Sequence, residues 1–210
     1  MAFTVSNFKS GLAAGGGGAR PALYEVSITN SHDTSLSFGP TSASTPANAS
    51  LLVKSASIPA ANIAPLAVNY AGRAYKWSGF RTYDNWTVTV LNDEDFAIRN
   101  KMMEWMRVIS GKLDGTRNDK YGSPLTGTGA SAGYFEGNAI VKQLGTDGKV
   151  KQVYKFYNLW PTEIAEIPVD WSSDAIQEYT IGFAYDYWGH GSGPESTAVT
   201  DIINATPTTT

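Results

Sequence analysis

With 210 residues, the chain has room for one domain with a sizeable core. Its net charge of −3 and pI near 5.4 argue against a protein that grips nucleic acid through clustered Lys and Arg. It has no cysteine, which excludes disulfides and thiolate metal sites.

Residues 1–19 read as a flexible N-terminal arm, because Gly11-Leu-Ala-Ala-Gly-Gly-Gly-Gly18 is tether-like. The start lacks the apolar run of a signal peptide, and no stretch approaches about 18 apolar residues, so no membrane partner is expected. After Arg20-Pro21, Tyr24, Val26 and Ile28 alternate with polar residues and predict a strand. Residues 30–50, rich in Ser, Thr, Ala and Pro, predict a long loop. Leu51 to Ile58 predicts a second strand, ended by Pro59. Ile63 to Trp77 predicts another, with Gly72 as a bulge.

In Trp86-Thr-Val-Thr-Val-Leu91, the residues Trp86, Val88 and Val90 share one face, as in a half-buried strand. A single helix is expected next. Asn92 is the candidate N-cap, and Asp93, Glu94 and Asp95 suit the positive end of the dipole. Phe96, Ile98, Met102, Trp105, Met106 and Ile109 form its apolar stripe, and Gly111 suits the position that ends it.

Residues 112–137 predict a second long loop. Asn138 to Leu144 and Val150 to Tyr157 flank Gly145-Thr-Asp-Gly148, which is hairpin chemistry. Glu163 to Val169 and Gln177 to Trp188 predict the last strands, and residues 189–210 a C-terminal tail. About seven or eight strands with one helix imply a mainly β chain, an antiparallel sandwich or barrel.

No catalytic set emerges. Asp93, Glu94 and Asp95 point in different directions on a helix, so helix-dipole complementarity explains them better than metal binding. Asp170, Asp174 and Glu178 are more simply turn composition than a glycosidase pair. His32 and His190 lack the further ligands a zinc site needs. Gly15 to Gly18 lacks the Lys and Ser/Thr of a phosphate loop. Neither an enzyme nor a bound cofactor is expected.

Charged residues are only 17%, while six Trp, eleven Tyr and eight Phe exceed what a small chain easily buries alone. Tyr83, Trp86, Trp160, Trp171, Tyr185, Tyr187 and Trp188 suit core and interface packing, or alternatively stacking on sugars or bases.

Several blocks carry a family resemblance. They are Val53-Lys-Ser-Ala-Ser-Ile-Pro59, Arg81-Thr-Tyr-Asp-Asn-Trp-Thr-Val-Thr-Val-Leu-Asn-Asp-Glu94, Leu159-Trp-Pro-Thr162, Asp170-Trp171 and Tyr185-Asp-Tyr-Trp188. Together they resemble the tail tube protein family of contractile-tailed (T4-like) bacteriophages, over residues 20–29, 51–112 and 138–188.

The resemblance implies a domain over 20–188, with insertions near 30–50 and 112–137. Its fold would be two packed antiparallel sheets with one flanking α-helix. It also implies hexameric rings that stack into a tube in the virion tail, assembled in the host cytoplasm. Strands of neighbouring subunits would make a continuous inner barrel around a lumen that conducts DNA and houses the tape measure protein. The implied partners are other copies, the sheath protein, the baseplate tube initiator, the tail terminator and the tape measure.

Arg81, Tyr83, Asp84, Trp160, Tyr187 and Trp188 are the candidate assembly residues; for Arg81 and Asp84 a local salt bridge is an equal alternative. The Gly145–Gly148 hairpin and the strand near Val68–Trp77 are the candidate lumen elements. Six copies at −3 give about −18 per ring, a sign that repels phosphate. Two alternatives stand: a same-fold baseplate tube initiator, and a monomeric carbohydrate-binding β-sandwich.

Overall fold

The computed structural model describes residues 4–14, 17–30, 52–110 and 137–191. The expected loops at 30–50 and 112–137, the Gly111 helix stop and most of the tail lie outside the described residues.

The elements, in chain order, are α1 (Val5–Ala14), β1 (Tyr24–Asn30), β2 (Val53–Ala56), β3 (Asn62–Tyr70), β4 (Arg73–Thr82), β5 (Trp86–Leu91), α2 (Ala97–Ser110), β6 (Gly137–Leu144), β7 (Val150–Ile164), β8 (Glu178–Ala184) and β9 (Tyr187–Gly191). The strands make two packed antiparallel sheets that share β7. The first half of β7 pairs with β6 on one side and β9 on the other, and β1 extends that sheet beyond β6. The second half, from Trp160, pairs with β8, followed by β5 and β2. We call these sheet A (β1, β6, β7, β9) and sheet B (β7, β8, β5, β2).

The core lies between the sheets. Val26, Ile28, Ala139, Val141 and Phe156 come from sheet A, and Trp86, Val88, Val90, Ile181 and Phe183 from sheet B. Trp86 bridges them, stacked on Phe156 at 4.5 Å and tilted against Phe183 at 5.6 Å. Its indole N–H donates to the Ser57 carbonyl (2.7 Å), so a large ring is buried with its one polar atom satisfied. The Tyr24 hydroxyl donates to the Val53 carbonyl (2.7 Å), tying β1 to β2 without closing a barrel.

The helix α2 covers the core with Ile98, Met102 and Trp105, all buried as the stripe predicts. Trp105 lies so close to Gly137 that a Cβ there would meet its Cη2 at 2.5 Å. Its start differs from expectation. Asn92 follows β5, donating through its backbone N–H to the Gln177 carbonyl (2.8 Å) and through Nδ2 to Gln177 Oε1 (3.0 Å). The cap is Asp93, whose Oδ1 accepts from the Ala97 N–H at 3.0 Å. Asp93, Glu94 and Asp95 therefore form the turn before the helix, closed by Phe96 at φ 52°.

Other boundaries shift for physical reasons. The segment 63–77 is not one strand with a bulge at Gly72. Ala71 and Gly72, at φ 49° and 79°, form a two-residue turn between β3 and β4, the positive-φ pair whose twist matches a hairpin. Glu163 and Ile164 belong to the end of β7, and 165–169 forms no strand. The run from Gln177 to Trp188 breaks at Tyr185-Asp186, so β8 and β9 follow β7 in two sheets in turn. A second helix, α1, lies within the segment read as a plain tether.

Candidate assembly surfaces

The strands β3 and β4 make a hairpin arm that stands apart from both sheets. It is rooted where β2 and β5 pair and reaches roughly 30 Å at the usual rise per residue. Pairing places Leu66 opposite Trp77 and Val68 opposite Tyr75, so these four share one face, with Tyr70 and Arg73 at the tip. The reverse face carries Ala67 opposite Lys76 and Asn69 opposite Ala74. All of these residues are exposed; Trp77 is 67% accessible and Phe80, nearer the root, 91%. A contiguous apolar face of this kind marks an interaction site. An isolated two-stranded ribbon is also marginal in water. Gly79 is required by close approach, since a Cβ there would strike the Ala64 carbonyl oxygen.

The candidate assembly residues fall into two groups. Arg81, Tyr83 and Asp84 lie at the arm's root. Tyr83 packs against Tyr185 at 5.8 Å. Trp188, from β9, reaches the same root by donating its indole N–H to the Ala60 carbonyl at 3.2 Å. Burial pushes the Tyr185 hydroxyl above its usual pKa, helped by Asp84 and then Tyr83. Among the described residues, neither Arg81 nor Asp84 forms an ion pair, so the local salt bridge weighed from sequence is not what holds this turn. Tyr187 points elsewhere, stacked on Tyr157 at 4.7 Å on sheet A. Trp160 is half-buried where β7 passes into sheet B.

Two further apolar surfaces are exposed, and of their residues only Trp171 was singled out from sequence for packing or stacking. The connection from β7 to β8 exposes Val169, Trp171 and Ile176. Asp170 stiffens it, accepting on Oδ1 from the backbone N–H (2.9 Å) and the hydroxyl (2.8 Å) of Ser172, which hold its carboxyl below the usual range. Glu178, at its end, pairs with Lys54. The carboxylates weighed as a glycosidase pair thus have local partners or turn roles. The second surface is α1, where Val5, Phe8 and Leu12 form an exposed stripe. Their 3- and 4-residue spacing was the legible signal.

A family model described as phage tail tube protein matches residues 19–190. The tail tube protein gp19 of Enterobacteria phage T4 is 32% identical over 172 residues, 81% of this chain and 90% of that protein. The tail tube protein of Serratia phage KSP90 is 21% identical, over 87% of this chain and 94% of that one. Among solved structures, the baseplate of the anti-feeding prophage contains a chain with TM-score 0.56 at 9% identity, covering 83% of this chain and 96% of that one. The sheath/tube terminator of an extracellular contractile injection system has a similar chain, with TM-score 0.56 at 12% identity and coverage of 83% and 97%. These last two likenesses concern the fold.

Proposed function

The chain belongs to the phage tail tube protein family, and from that premise we propose that it polymerises as stacked hexameric rings around a bore that conducts DNA. It is a structural component of the virion tail, and its work is done by surfaces rather than by bond chemistry. The observation that carries this reading is the β3–β4 arm. Among the described residues, its face of Leu66, Val68, Tyr75 and Trp77 has no cover, and a second copy supplies one. Every copy carries both halves of such a head-to-tail contact, so the contact repeats without limit until capped.

The arm has a second consequence. Two long strands with open edges are an aggregation hazard in a free monomer, and ring closure removes that hazard. Arg81, Tyr83, Asp84 and Trp188 stand at the root, where a neighbour's weight would be borne, and Trp160 and Tyr187 stand on the flanking strands. The sheath protein, baseplate initiator, terminator and tape measure protein are the partners such a tube requires. The 189–210 tail and the N-terminal arm are proposed to brace adjacent rings.

Negative-stain electron microscopy of the purified protein, concentrated at low and moderate salt, tests the reading. Hollow tubes of uniform width are expected. Single rings that never stack would favour the baseplate initiator. A monomer that binds glycans would overturn the tube reading in favour of a carbohydrate-binding sandwich.

A further inference from the structure

The hairpin arm and the connection between β7 and β8 are complementary in charge. The arm, residues 62–82, carries Arg73, Lys76 and Arg81 and no carboxylate. Residues 165–177 carry Glu166, Asp170 and Asp174 and neither Lys nor Arg. All six of these residues are exposed, and among the described residues none of them forms an ion pair.

Both segments are apolar as well. Arg73 lies opposite Tyr70 and continues the face of Tyr75 and Trp77, because alternate residues of a strand share a side. On the connection, Trp171 is fully exposed beside Val169 and Ile176, and Ile167, Val169 and Ile176 line a groove of about 330 Å³. The connection is also held in shape. Arg99 Nη1 donates to the Ala165 carbonyl at 3.0 Å where it begins, Asp170 accepts from Ser172 in its middle, and Asn92 donates to Gln177 where it ends. A surface fixed beforehand loses little entropy when a partner docks.

The two segments leave sheet B at opposite ends. The arm departs after Ala56 and returns at Trp86, beside Phe183. The connection departs after Ile164 and returns at Glu178, beside Leu91. One copy therefore presents the basic apolar arm at one end and the acidic apolar connection at the other.

Resting on the tube reading above, we propose that the β7–β8 connection is the acceptor for the arm of a second copy in the next ring, with Arg73 set against Glu166, Asp170 and Asp174 and the arm's aromatic face laid on Trp171, Val169 and Ile176. Lys76, on the reverse face, adds to the same attraction. The charges also fix polarity. Arm against arm and connection against connection would each bring like charges together, so only the head-to-tail order is favourable. Such a contact repeats from ring to ring.

Charge reversal tests the pairing. Arg73→Glu with Lys76→Glu, and separately Glu166→Arg with Asp174→Arg, should each lower sedimentable polymer about tenfold or more while the monomer melts as before. Combining all four substitutions in one chain should restore tubes, because the attraction is then re-made with opposite signs. Polymer undiminished by either reversal, as expected if the connection serves a different partner, overturns the proposal; so does a combined variant that stays unpolymerised. Should a reversed variant not fold, Arg73→Cys with Asp174→Cys decides in a chain that has no other cysteine. A short bifunctional maleimide added to its tubes should give a ladder of covalent multimers on a denaturing gel, and tubes that give none overturn the assignment. Absence of tubes from the unsubstituted protein would count against the tube reading itself, an outcome separate from a misplaced acceptor.

Discussion

The sandwich and the hairpin arm are made of the same material and have opposite fates. Trp86 and Trp77 both sit on antiparallel strands among β-branched and aromatic neighbours, yet Trp86 is 2% exposed and Trp77 67%. In the sandwich, each apolar face meets another from the same chain. On the arm it meets nothing among the described residues. Strand propensity and alternation therefore report that a face is apolar, not which molecule covers it.

The largest effects should separate the two regions cleanly. Trp86→Ala removes the ring that bridges the sheets and should cost about 3–5 kcal/mol, read by denaturant unfolding of dilute monomer. The double variant Leu66→Glu with Trp77→Glu should change monomer stability by no more than about 0.5 kcal/mol, since both residues are exposed. The same variant should abolish sedimentable polymer. A large loss of monomer stability from it would mean that the arm packs on its own body.

Smaller effects sharpen the boundary. Gly137→Ala should cost about 1–3 kcal/mol, because the new methyl meets the buried Trp105 ring and the Thr29 carbonyl. Gly79→Ala places its methyl against the Ala64 carbonyl and should impair polymer formation while leaving the melting of the body unchanged. Equal losses of body stability from the two glycine variants would erase the distinction.

The smallest effect is a pH dependence confined to the sandwich. Burial pushes the Tyr179 phenol up to about 12, although the Arg99 guanidinium, 5.1 Å from the ring centroid, pulls the other way and Asp93 adds to the rise. The folded state keeps this proton after the unfolded chain has lost it. Its contribution to stability is therefore full below about pH 10 and is lost as pH rises towards about 12. Tyr179→Phe should flatten that part of the stability profile measured by thermal melting. An unchanged profile would show that this hydroxyl does not set it.

Much of the sandwich was legible because its signals are local. Trp86, Val88 and Val90 alternate with threonine. Ile98, Met102 and Trp105 recur at helical spacing. Gly145 to Gly148 announces its own turn, which the structure closes with the Gly148 N–H donating to the Gly145 carbonyl at 3.0 Å. The family resemblance added the arrangement of those elements, and the match over 19–190 supports it. The helix start misled because Asn92 and Asp93 are both good caps. Only the pairing of Asn92 with Gln177, distant in sequence, decides between them. The assembly residues were half legible for a similar reason. Aromatic content signalled an interface, but whether Tyr187 joins Trp188 at the arm's root or turns to Tyr157 depends on a single reversal of face along β9.

The sequence alone determined that this is a mainly β chain with one strongly amphipathic helix, no thiol chemistry and more aromatic surface than one copy buries. Periodicity and composition are properties of short segments and survive without a fold. The tertiary structure decided that β7 serves two sheets and that 62–82 leaves the body as an arm. Those facts depend on register between residues far apart in the chain, and a one-residue slip would exchange every face.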